Sequence, residues 1–403
     1  MRKIILHSFL AFVLAPLYLH ASWINTGSDK AVKPTIEVQS TVETSTIHVQ
    51  LHGFDFNRVR TAQGEYYKTD GPDLTPLLQK DAPDLSKLTV SLIIPDDGNM
   101  QLAVNVNHFT DYQNVLIAPS KGNLYRNVNP DEVQFQFGDA YVKDEFFPGK
   151  TAELMEPFVL RDFRGQTVWI YPFQYNPVSK VLRVYTDISI TVTRSTDAVP
   201  SVNVLQRAKP LQKIDRDFSL IYQTQFRNAA AAINYVPVEE EGEMLIISYP
   251  SFIPALDSFV DWKIKKGIPV TVVNVTTIGS TAAQLQSYIS AFYFSHDLKY
   301  VLLVGDIQQI PSPTASGGAS DPSYGYIVGN DSYAEVFVGR FSAQNISEVE
   351  TQVNRTITYE RNPDPSGIWY SKGICVASNQ GPGDNNEMDY EHEQNIRDRK
   401  SVV

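Results

Sequence analysis

The chain has 403 residues, room for two or three domains, with 42% apolar and 20% charged residues. Its net charge of −11 argues against a nucleic-acid binder, which needs a basic face to displace counterions. No run of ~18 apolar residues follows the N-terminus, so no internal membrane-spanning helix is expected, and a single cysteine leaves stability to packed cores or bound ions.

Arg2 and Lys3 precede an apolar stretch from Ile4 to Leu19, and Ala21 and Ser22 follow it. This is the layout of a secretory signal peptide, residues 1–21, cleaved near Ala21. The alternative is an N-terminal membrane anchor; the short core and Pro16 near its end favour cleavage. The expected location is therefore outside the cell or on a bacterial surface.

Residues 22–200 read as an all-β, sandwich-like domain. Leu182, Val184, Ile188, Ile190 and Val192 alternate with polar neighbours, the period of a half-buried strand. Similar short runs occur at Thr46–Leu51, Leu88–Ile94, Leu102–Val106, Val115–Ala118 and Val168–Tyr171, separated by turn signals such as Pro95-Asp96-Asp97-Gly98. Residues 201–242 are polar and charged, with acidic residues at Glu239–Glu241 and Glu243, and read as an exposed linker between domains.

From residue 243 to 403 the pattern becomes α/β. Met244–Ser248, Ile268–Val275, Tyr300–Val304, Val336–Gly339 and Lys372–Ser378 are strand-like. Between them Ile253, Leu256, Val260 and Ile264, then Leu285, Ile289 and Phe292, then Ile346, Val349, Val353 and Ile357 recur at helical spacing. That order implies a mostly parallel sheet with helices on both faces. Asn345 and Asn354 stand in glycosylation sequons inside a predicted helix, and no modification is assigned to them.

Several long stretches, in order, are similar to the gingipain family of cysteine peptidases, its Arg-specific members above all. They include Tyr300–Asp306, Ser323–Asp331, Glu335–Ser342 and Tyr359-Glu360-Arg361-Asn362 in the second half. In the first half they include Val115–Gly122, Phe146-Phe147-Pro148-Gly149, Leu160-Arg161-Asp162 and Gln174–Val178, which resemble the family's prodomain. The resemblance implies a secreted zymogen: an inhibitory β prodomain followed by a caspase-like α/β peptidase domain. It implies protein or peptide substrates cut after Arg, with the prodomain as the enzyme's own inhibitor. The family uses a Cys nucleophile and a His in a Gly-His-Gly context. None of the seven histidines has that context, and Cys375, between Ile374 and Val376, reads as an inert core residue. The catalytic pair is expected downstream of Val403, so this chain by itself is expected not to hydrolyse peptides. Two other classes stay open: a non-catalytic secreted binding or chaperone module, and a surface-processing, sortase-like relative.

The resemblance also implies site residues. Asp306, Asp331 and Glu335, with the carbonyls of Val328 and Tyr333, match a structural calcium site, and hard oxygen donors suit that ion; the alternative is loop carboxylates capping backbone amides. Glu387 and His392 match positions near a second calcium. Asp389 matches the acid of the substrate pocket, where a carboxylate can pair with a guanidinium through two hydrogen bonds; the alternative is a solvated acid at a charged helix start. Gln380 stands where relatives can carry a Glu supporting the catalytic His. Arg126, in a turn-rich loop, is the expected inhibitory plug, or one more surface Arg. Arg227, in the polar linker, is the expected activation cleavage site.

Overall fold

The computed structural model describes residues 22–41, 43–125, 128–196, 199–207, 211, 213–232, 237–238, 242–381 and 387–400. The signal-peptide expectation and Arg126 lie outside the described residues.

The first half is all-β. One antiparallel sheet runs in the order Phe173–Asn176, Val181–Arg194, Thr44–Gln50, Thr35–Ser40, with Met100–Tyr112 also pairing with Val181–Arg194. A second has the order Phe158–Leu160, Phe163–Ile170, Ser86–Ile94, Thr75–Pro76, with Ala152–Leu154 on Phe163–Ile170. The two sheets close on one core: Ile47, Val49, Ile188 and Ile190 from the first meet Leu88, Val90, Val168 and Ile170 from the second. Register follows from the two-residue period, since Ile188 opposite Val49 and Ile190 opposite Ile47 put every apolar residue on the core face.

The α/β half holds a four-stranded sheet in the order Val270–Asn274, Glu243–Ser248, Leu298–Val304, Phe337–Phe341, with every pairing parallel. Its faces are both covered. Leu245, Ile247, Val301 and Leu303 pack against Leu285, Ile289 and Phe292 of the Ala282–Ser295 helix. Met244, Ile246, Leu302 and Val304 pack on the other side against Phe252, Leu256, Phe259, Val349 and Val353. Two-sided burial is why Leu298–Val304 reads as a continuous apolar run. The Ala282–Ser295 helix starts with a capping box between Thr281 and Gln284, and Asn345 caps the Ile346–Arg361 helix.

Two segments differ from the sequence expectation. Lys372–Ser378 forms no strand; residues 368–380 are exposed throughout, with Ile374 at 89% and Val376 at 87% of full exposure. A short apolar run alone cannot make a strand, because a ladder needs a partner, and the sheet ends at Phe337–Phe341. Cys375 is accordingly exposed rather than a core residue.

The described residues between 201 and 232 are packed at several points rather than forming an exposed linker. The Arg164 guanidinium, wholly buried, donates to the carbonyls of Asn203 (2.8 Å), Gly98 (2.7 Å), Val202 (2.9 Å) and Pro95 (3.1 Å). It ties this stretch to the β half. Then Ile214, Phe218, Tyr222 and Phe226 recur every four residues through the Arg216–Gln225 helix and form their own core with Phe158, Leu160 and Phe163.

Candidate functional site

The functional residues group at two places. The first is the hairpin joining Phe158–Leu160 to Phe163–Ile170, whose tip reaches the amino ends of the parallel strands. Leu160 pairs with Phe163, so the loop is Arg161-Asp162 alone. The Arg161 guanidinium donates to the carbonyls of Glu335 (2.7 Å) and Leu298 (2.9 Å) and approaches Asp297 at 3.4 Å. It lies over the rings of Phe218 and Tyr293, a cation–π setting. Beside it Phe158 stacks on Tyr333 with centroids 4.0 Å apart. Lys299, 2% exposed, pairs with Asp215 at 2.7 Å and Asp217 at 2.9 Å.

Four of the residues matched to the calcium site belong to this same place. Asp331 accepts from the backbone N–H groups of Val159 (2.8 Å) and Tyr333 (3.0 Å), and burial raises its pKa. Glu335 is wholly buried and accepts from the N–H groups of Ile327 (2.7 Å) and Val328 (3.0 Å), with Arg161 N–H at 3.5 Å. Burial, against the pull of these amides and with nearby Asp331 adding to it, raises its carboxyl to about 7. Both acids thus cap backbone amides, Val328 and Tyr333 among them. Asp306 turns to another set, Ile307 N–H (2.8 Å), Gln344 (3.0 Å) and Ser342 (3.3 Å), which hold its pKa below the usual range. Asp306 is not gathered with these two carboxylates, whose oxygens are taken up by backbone N–H groups. Among the described residues no group of three or more His, Cys, Asp or Glu is placed to hold a metal.

The second place is a cleft of about 410 Å³ lined by Val376, Ala377, Ser378, Asp389, His392 and Glu393. Asp389 is the first residue of the Asp389–Lys400 helix. Its Oδ2 accepts from the Ser378 hydroxyl at 2.6 Å, and Ser378 Oγ in turn accepts from Gln380 N–H at 3.0 Å. The Gln380 carbonyl accepts from Asp389 N–H at 2.9 Å. Gln380 therefore acts here through its backbone. Glu387 is held by His392 Nδ1 and Asn395 Nδ2, each at 2.5 Å. The arrangement sets one carboxylate oxygen against a hydroxyl in an open, acidic cleft, which can receive a cationic group.

Arg227 is exposed in a turn, but its flanks are held. Its N–H donates to Ser91 O at 3.0 Å. The buried Asn228 amide bonds both N–H (2.7 Å) and C=O (2.9 Å) of Ile93.

Sequence reasoning missed Arg161, Lys299 and Arg164 as linking residues. A lone cation has no periodicity; only the Ile214–Phe226 spacing was a readable sign that residues after 200 pack.

Residues 28–224 match the family model Propeptide_C25, and residues 238–402 match Peptidase family C25; the chain belongs to this gingipain family of cysteine peptidases. Gingipain R2 of Porphyromonas gingivalis (strain ATCC BAA-308 / W83) is 37% identical over 378 residues, covering 92% of this chain and 51% of that protein. Gingipain R1 of Porphyromonas gingivalis is 35% identical over 401 residues, 97% of this chain and 40% of that protein. The chain thus spans about half or less of these relatives' length. Among solved structures, the complex of Porphyromonas gingivalis RgpB pro- and mature domains is 32% identical, with TM-score 0.45, covering 49% of this chain and 98% of that one. The Arg-specific cysteine proteinase gingipain R (RGPB) is 41% identical, with TM-score 0.36, covering 41% of this chain and 40% of that one.

Proposed function

We propose that the chain is the precursor part of a secreted cysteine endopeptidase that cuts protein or peptide substrates after Arg, with its β half as its own inhibitor. The observation that carries this reading is the presence of propeptide and peptidase matches in order along one chain. Asp389 is the carboxylate that receives the substrate guanidinium, through paired charge-assisted hydrogen bonds. Arg126 fills that cleft in the uncut form, and processing follows at the Arg227–Asn228 bond. No histidine here stands between two glycines, so this chain alone binds Arg-containing ligands without cutting them. A calcium ion at Asp331 and Glu335 would neutralise two neighbouring acids; Asp306, Glu387 and His392 are not part of that pair.

The test is binding of a fluorescent peptide ending in arginine amide to the full chain. Arg126→Ala should bind it more tightly than the parent, and adding Asp389→Asn should weaken that binding tenfold or more, on the order of 1.4 kcal/mol. Equal binding by Arg126→Ala and the double variant would remove Asp389 from the pocket. A melting temperature unchanged by chelator would remove the calcium. Secretion is checked by the mature N-terminus, expected near Ser22.

A further inference from the structure

The hairpin tip at Arg161 is strained and used. Arg161 has φ +45°, a left-handed conformation that is disfavoured for a non-glycine residue. A two-residue hairpin loop normally puts Gly, Asn or Asp there. Beside the Phe218 ring of its own half, what keeps an arginine in place lies on the other half of the chain: the Leu298 and Glu335 carbonyls, Asp297, and the Tyr293 ring. The side chain is 9% exposed, so these are desolvated contacts.

Charge crosses this junction in both directions. The first half sends Arg161 to Asp297, and Lys213 reaches the other oxygen of the same Asp297 at 3.1 Å. The α/β half sends Lys299 back to Asp215 and Asp217. Such reciprocal pairing selects one partner and rejects others. Phe158 on Tyr333 and Phe218 against Phe337, with centroids 5.0 Å apart, supply the apolar centre.

The position is as informative as the contacts. Leu298 opens its strand, and Glu335 stands just before Phe337–Phe341. The tip therefore grips the amino ends of the sheet. In open parallel sheets ligands collect at the carboxyl ends, and a seven-residue strand separates the two ends by roughly 20 Å.

From this we infer that the Arg161 hairpin is the anchor by which the β half recognises and holds the α/β half as a separate polypeptide, through a surface distinct from the site it blocks. Holding and blocking are then separable. The anchor sets how long the cut halves stay together, and a different segment sets whether the cleft is filled. The inference builds on the proposed precursor reading only in calling the β half an inhibitor.

The experiment uses the full chain with a specific protease sequence placed at residues 239–241, cut after purification. Cut parent protein should elute as one species at about 1 μM. Arg161→Ala should weaken the dissociation constant of the halves at least tenfold, with the uncut variant keeping its circular dichroism. Asp297→Ala, from the opposite half and largely exposed, removes the partner of both Arg161 and Lys213 and should weaken it in the same direction. Arg126→Ala should leave it unchanged. Should Arg161→Ala fail to fold uncut, Asp297→Ala alone decides. Unchanged association in both anchor variants, or loss with Arg126→Ala equal to theirs, overturns the inference. The readout needs no peptidase activity, so a wrong Asp389 pocket would leave the result standing.

Discussion

The two ends of the four-stranded parallel sheet are finished differently. At the amino ends, side chains from residues 158–222 enter the sheet's own half: Arg161 on Leu298 and Glu335, Asp215 and Asp217 on Lys299. At the carboxyl ends the chain closes on itself. Arg340 donates to the carbonyls of Gly305 (2.8 Å) and Ile310 (3.0 Å) and forms a bidentate pair with Asp321, while Asp306 caps its own loop. One end is thus occupied by a distant part of the chain, and the other is shaped and left accessible. Ligands of open parallel sheets collect at the carboxyl ends, and a partner docked at the amino ends leaves those ends free.

The sharpest way to break this contrast is Lys299→Ala. Lys299 is buried against two acids, and removing one partner of a buried pair leaves uncompensated charge, worth about 3 kcal/mol or more. Urea unfolding of the full chain should show that loss, and the cut halves should separate. A cost under ~1 kcal/mol would mean that the amino-end contacts are no stronger than surface pairs.

Next comes Arg340→Lys at the other end. A lysine keeps the charge but not the planar fork that reaches Asp321, Gly305 and Ile310 together. The expected cost is about 2 kcal/mol, with no change in association of the cut halves. If the halves also separate, the two ends are coupled and the comparison fails.

The sequence made one half of this contrast legible and hid the other. Strands with a two-residue period, such as Val181–Arg194, and helices with apolar stripes, such as Ile346–Arg361, lie close to their expected places because each period maps to one buried face. Lys372–Ser378 had the apolar run of a strand without a partner strand, and a ladder's partner is a tertiary fact. The stretch after 200 looked like a linker because its polar residues outnumber its apolar ones; four apolar residues spaced by four were enough to bury a helix. At the site, Asp331 and Glu335 were named for their oxygens and lie near one another, but the Asp306 carboxylate bonds Ile307 N–H and the Gln344 side chain from the loop after Phe337–Phe341. Asp389 was named through resemblance, and the cleft around it depends on Ser378 and the helix start, which no spacing rule joins.

A smaller effect is expected at Glu360, which belongs wholly to the α/β half. Burial pushes its carboxyl up, but hydrogen bonds from Lys263, Lys266 and Trp262 outweigh that and hold it down at about 2. A depressed carboxylate binds fewer protons folded than unfolded. Its contribution is therefore fully present above the ordinary carboxylate value near 4.5 and is lost as pH falls toward 2. Because the group is partly exposed, Glu360→Gln should cost only about 1 kcal/mol at pH 7. The parent and variant stability curves should converge between pH 4.5 and 2. Curves that stay parallel through that window would show that the lysines do not hold a charged Glu360.

The smallest stability effect, and the most direct test of the open end, concerns Cys375. Its apolar neighbours imply an inert strand residue, yet Ile374 and Val376 stand almost fully exposed and the thiol with them. A strand added beside Phe337–Phe341 would gain a ladder of hydrogen bonds and cover Phe337, so exposure here means that this gain is not realised by the chain on its own. A thiol reagent should then label the native protein within about tenfold of the unfolded rate, because access and thiolate fraction set that rate and access is not limiting. Cys375→Ser should change stability by less than ~0.5 kcal/mol, as at other exposed positions. Protection of a hundredfold or more would place residues 372–378 in the sheet after all, and would move the boundary of the α/β core outward by one strand.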